Sequence, residues 1–179
     1  MKHSSTYKIV LAALFAALIC VATMLVQIPI PATGGYANLG DGVVLICAFL
    51  MNPAYAIMAA GVGSMLADLL AGYMSYALGT LIIKAGVALI GTFIYNRFGR
   101  NASPRKAILS MLTASILAEV FMVLGYFIYE AVFLGIGTGA VGAIVGNIGQ
   151  GFVGVLVACI VTPALNRSPE VRELMEKTR

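Results

Sequence analysis

Three charged side chains stand alone inside long apolar stretches of this sequence: Asp68, Lys84 and Glu119. A charge in the middle of a hydrocarbon layer costs at least about 2.5–3.5 kcal/mol, so each must face a bundle interior or a wet cavity and find a partner there. Asp68 and Glu119 are the candidate partners of Lys84. Asn147 and Gln150 are three apart and share one helix face. Asp41, Asn38, Thr80 and the tyrosines Tyr36, Tyr73, Tyr76 and Tyr126 fall at similar depth. One cation, one or two acids, two amides and several phenols suit a small hydroxylated heteroaromatic ligand that stacks on tyrosine and exchanges hydrogen bonds with Asp, Asn and Gln. The bland alternative is a structural ion pair, with the amides tying helices together.

Other chemistries are excluded. His3 is the only histidine, which removes a His-based triad, a haem site and an HExxH metal site. Cys20, Cys47 and Cys159 each sit in an apolar stretch with no CxxC spacing, and read as small buried hydrophobes rather than metal ligands or disulfides. No cofactor or metal is expected. No GxxxxGK[ST] motif occurs, so any ATP must be hydrolysed by another protein.

The elements that carry these residues cross a membrane. Of 179 residues 61% are apolar and 10% charged, against about 45–50% and 25% in soluble domains, too few polar groups to cover a water-facing surface. Apolar runs bounded by charge, Pro or Gly predict an all-α polytopic protein, a single domain over 1–179 with six transmembrane helices near 7–27, 42–51, 54–72, 78–95, 107–129 and 140–165. The basic start followed by an apolar run is read as a span, not a signal peptide, because the run is long for one. Asn52-Pro53 divides the 42–72 stretch. Between the first two helices lies an irregular loop, 28–41, with Pro29, Pro31, Gly34 and Gly35, a candidate lid.

The net charge of +4 does not point to nucleic acid. Ten of the eleven cations (Lys2, Lys8, four between 97 and 106, and Arg167, Arg172, Lys177 and Arg179) fall on one side of a six-span arrangement. That side is the cytoplasm and holds both termini; the opposite loops carry no Lys or Arg. In the first helix Ala12, Ala13, Ala16 and Ala17 form a small-residue face for close helix approach; in the sixth, Gly142 and Gly146 repeat the spacing and read as internal packing.

Gly35-Tyr-Ala-Asn-Leu-Gly-Asp41, Gly63-Ser-Met-Leu-Ala-Asp68-Leu-Leu-Ala-Gly-Tyr73 and Tyr76-Ala-Leu-Gly-Thr80-Leu-Ile-Ile-Lys84, with the Ala-xxx-Ala face and the long first outer loop, resemble the substrate-binding S components of energy-coupling factor (ECF) vitamin transporters, in the riboflavin, hydroxymethylpyrimidine or vitamin B6 branch. The resemblance covers nearly the whole chain. It implies a plasma-membrane protein that binds a vitamin in an outward cavity beneath the first loop and topples to deliver it. A transmembrane coupling (T) component, docked on the alanine face, and two cytosolic ATPases would drive the cycle. Trp-containing motifs of thiamin-binding members are missing here. The residues lean to a pyridoxine-like vitamer or hydroxymethylpyrimidine; riboflavin needs a larger, flatter slot. An ion-coupled secondary transporter would use Lys84, Asp68 and Glu119 as a relay, against which stands the lack of paired broken helices. An intramembrane acid–base enzyme would lack a His-paired nucleophile and a metal set.

Overall fold

The computed structural model describes residues 5–178, with side chains to residue 173; Lys2, His3 and Arg179, and the side chain of Lys177, lie outside the described residues. Helix α1 (Ser5–Leu25) leads into strands β1 (Gln27–Ile30) and β2 (Gly35–Asn38), then α2 (Gly40–Leu50), α3 (Pro53–Ala71) and α4 (Ala77–Phe98). Helix α5 (Pro104–Ile128) continues as a π-helical turn, Tyr129–Phe133; a 3-10 turn, Gly137–Ala140, precedes α6 (Val141–Leu165) and α7 (Pro169–Thr178). The helix limits lie within three residues of those expected, and α7 forms where only a charged tail was expected.

Residues 28–41 depart from the expected irregular loop. The two strands pair antiparallel, Gln27 opposite Asn38 and Ile30 opposite Gly35. Both Thr33 N and Gly34 N donate to the Ile30 carbonyl, at 3.2 and 3.0 Å, and Gly34 takes the left-handed φ of 66° that closes the turn. Pro29 is tolerated because a strand of a two-stranded ribbon has a free edge. The hairpin then packs through Ile30 and Ala37 on Ala143 of α6.

Local chemistry sets the other boundaries. The Asn52 side chain accepts from Ala54 N at 3.2 Å and Pro53 occupies the first turn, so α3 starts there. Gly72, at φ 86°, ends α3 with its N–H on the Asp68 and Leu69 carbonyls. Small residues bring helices together: a Cβ on Gly63 of α3 would come within 2.5 Å of the Ala16 carbonyl oxygen of α1. Ala12 and Ala16 are half-buried on that seam, while Ala13 and Ala17 face outward.

Polarity runs inside out relative to a water-soluble protein. Val145, Phe152 and Ile160 stand exposed along α6, and Val10, Leu14, Leu18 and Val21 along α1, whereas Asp41, Asp68, Lys84, Glu119 and Gln150 are buried. Among the described residues, five helices are long and apolar enough to cross a membrane. Helix α2 has eleven residues, about 16 Å, roughly half of a hydrocarbon core, and is apolar and buried on all sides. Asn38, at the end of β2, reaches Gln150, the tenth residue of α6, and Asp41 reaches Lys84, the eighth of α4. The ribbon is thus inserted into one end of the bundle and α2 continues from its depth.

Candidate ligand-binding site

A satisfied polar network forms the floor. Lys84 Nζ donates to Asp41 Oδ1, Gln150 Nε2 donates to Asp41 Oδ2 at 2.6 Å, and Gln150 Oε1 accepts from Asn38 N at 2.7 Å. Asp41 is 0% and Lys84 2% exposed, and the ammonium also lies 5.4 Å from the centroid of the Tyr126 ring. Both Asp41 oxygens, the Lys84 ammonium and the Gln150 amide are thereby partnered, which is the condition under which a buried ion pair is tolerated.

The hairpin forms the roof. The Tyr36 hydroxyl donates to Asp68 Oδ1 at 2.6 Å while its ring packs tilted by 47° against Tyr73, centroids 4.4 Å apart. The Tyr76 hydroxyl meets two acceptors, the Thr33 carbonyl in the hairpin turn at 2.9 Å and Glu130 Oε1 at 3.2 Å. Tyr76, at the mouth of α4, is pushed up to about 12, first by burial, and is a neutral donor at physiological pH.

Between floor and roof lies a cavity of about 20 Å³, the room of one or two water molecules. Eight of the residues singled out in the sequence line it: Tyr36, Asn38, Asp68, Tyr76, Thr80, Tyr126, Asn147 and Gln150. Thr80 and Tyr126 share a hydrogen bond of 3.0 Å across the α4–α5 wall. Four others stand elsewhere: Asp41 and Lys84 beneath the cavity, Tyr73 behind Tyr36, and Glu119 against Gly151, bordering an apolar groove between α5 and α6.

The partner of Lys84 is therefore Asp41, not Asp68 or Glu119 as expected. The reason is depth: the inserted hairpin carries Asp41 down to the Lys84 level, whereas Asp68 is held at the roof by Tyr36. Glu130 and Ile30 also line the cavity and were not anticipated. The π-helical turn carries α5 past Tyr126 and returns Glu130 to the inner face, where it is 2% exposed. Its position four after Tyr126 was the available signal.

The chain matches the family model described as the ECF-type riboflavin transporter, S component, over residues 3–167. It is 41% identical over 114 residues, 60% of this chain and 68% of the relative, to an uncharacterized protein in a gap 3′ region of Pyrococcus woesei. A solved structure described as the S component of a bacterial ECF transporter has the same fold, with a TM-score of 0.68, 19% identity, and 92% of this chain and 98% of that chain covered. A likeness at that identity carries the fold alone, and the family rests on the match over residues 3–167: this multi-pass plasma-membrane protein belongs to the ECF-type riboflavin transporter S component family.

Proposed function

We propose that this chain is the vitamin-binding subunit of an ATP-driven importer, a single domain over 1–179, and that its ligand occupies the cavity between the Asp41–Lys84–Gln150 floor and the hairpin. The family is a transport subunit that binds a vitamin and works with a T component and ATPases, not an enzyme. The observation that carries the reading is an enclosed polar cavity, deep in a lipid-facing bundle, roofed by a separate ribbon. Its roof is held by two tyrosine hydroxyls, which can be broken without unfolding a helix.

A cavity of about 20 Å³ is far smaller than any vitamin, so binding requires the hairpin to withdraw and Tyr36 and Tyr76 to exchange their partners for the ligand. Riboflavin is the first reading, on the family's name. A single-ring ligand, a vitamin B6 vitamer (pyridoxine, pyridoxal or pyridoxamine) or hydroxymethylpyrimidine, is the second, because a contracted site needs less expansion to take it. The hairpin and α2 together serve as the sixth crossing. The cations flanking α1, joining α4 to α5, and following α6 support an orientation with both termini in the cytoplasm and the hairpin outside.

The test is the melting temperature of the purified protein in detergent against pyridoxine, pyridoxal, pyridoxamine, hydroxymethylpyrimidine, riboflavin, thiamin, folate and pantothenate. A ligand at 100 times its Kd adds about 2.7 kcal/mol to the folded state. One vitamin shifting the melt at low concentration supports the reading and fixes the substrate. Silence across the panel removes it and brings the ion-coupled alternative forward.

A further inference from the structure

The cavity wall has a charge pattern that bears on which ligands it takes. Asp68 and Glu130 are 3% and 2% exposed, and both line the cavity from opposite elements, α3 and the π-helical end of α5. Each spends one oxygen on a tyrosine hydroxyl: Asp68 Oδ1 on Tyr36, and Glu130 Oε1 on Tyr76. Each leaves the other, Asp68 Oδ2 and Glu130 Oε2, buried with no hydrogen-bond partner. A buried carboxyl oxygen without a donor is costly, so two of them around one cavity mark places where a ligand's donors belong.

Among the described residues no Lys, Arg or His lines the cavity, and the one cation beneath it, Lys84, is committed to Asp41 and faces the Tyr126 ring. A phosphate or carboxylate on the ligand would be brought beside two acids in a desolvated space, with no cation on the wall to answer it.

We propose that the site selects neutral or cationic ligands that present hydrogen-bond donors at two ends, one to Asp68 and one to Glu130, and that it rejects vitamins carrying a phosphate or carboxylate. Glu130 is the specificity-determining residue of the pair. Asp68 also anchors the hairpin directly through Tyr36, whereas Glu130 Oε2 is without a hydrogen-bond partner. This inference rests on the vitamin-binding reading above.

Calorimetric titration of the full chain in detergent with matched pairs tests it: riboflavin against its 5′-phosphate, and pyridoxine and pyridoxamine against their 5′-phosphates. The expected result is that the parent of the transported class binds and its phosphate binds about a hundredfold more weakly or not at all, the scale of a like-charge contact in a dry site. A phosphate within about threefold of its parent would overturn the selectivity while leaving vitamin binding intact. No binding by any parent would overturn the vitamin reading and this inference with it. Glu130→Gln gives a second readout. The amide oxygen still accepts from Tyr76, but Oε2 becomes an NH₂ donor, so parent affinity should fall about tenfold and discrimination against the phosphate should narrow, with the ligand-free melt unchanged. Unchanged affinity and discrimination in that variant would remove Glu130 from the assignment.

Discussion

Lys84 is 2% exposed and forms its ion pair with Asp41, so removing it leaves Asp41 without its counter-charge inside the bundle. Lys84→Met is expected to lower the unfolding free energy by about 3–5 kcal/mol, whereas Asp41→Asn with Lys84→Met removes both charges, keeps the acceptor for Gln150, and recovers most of the loss. Melting of the three proteins in one detergent checks it; a double variant no better than the single would mean the pair is not the unit. Tyr76 makes a second expectation. Its phenol titrates above the ordinary value of 10.0, at about 12, in the folded chain. Its contribution is then complete below about pH 10 and is lost as pH rises through the folded value. The melting temperature should hold from pH 7 to 9 and fall above about 10, less steeply in the Tyr76→Phe variant. That Lys84 needs an internal partner follows from its place in an apolar run; that the partner is Asp41 does not, because a step of about 100° per helical residue and the depth of a loop both lie outside a one-dimensional pattern.

At the level of elements, the hairpin is the part that sequence periodicity concealed. Four-residue strands broken by Pro29 give too short an alternation to separate from a loop, and the glycines that seat the ribbon lie in a different element, α6. A Cβ on Gly142 would approach the Ala32 Cβ to 2.5 Å, and one on Gly146 would approach Ile30 Cδ1 to 2.9 Å. The small-residue repeat was read correctly as internal packing, but its neighbour is a β-ribbon, not a helix. Gly142→Val should lift the hairpin from α6 and weaken ligand binding about tenfold or more while helical circular dichroism is kept. Gly149 has open space where its Cβ would sit, so Gly149→Ala should leave binding untouched and raise stability by about 0.5–1 kcal/mol. Equal effects from both substitutions would mean that the α6 glycines act through helix propensity and that the hairpin has no seat there.

For the whole molecule, the lipid-facing exterior and the clustering of cations were legible from composition alone, because a bilayer imposes a coarse constraint on every residue of a span. What partners the exterior meets is a finer matter, and the alanine face of α1 shows how the fold sharpens it. Ala12 and Ala16 lie on the seam with α3, where Gly63 brings the backbones together, so bulk placed there tests internal packing as much as docking. Ala13 and Ala17 turn outward on the same helix and meet no such constraint. Docking of a coupling protein on this face therefore predicts a division between the two pairs. Ala13→Trp with Ala17→Trp should leave ligand-free melting and vitamin affinity unchanged while co-purification with the T component and ATP-dependent uptake are lost. Ala12→Trp with Ala16→Trp should lower the melt itself. Full uptake by the Ala13, Ala17 variant would place the coupling protein on another face, since two indoles added to an interface of alanines leave no room for close helix approach.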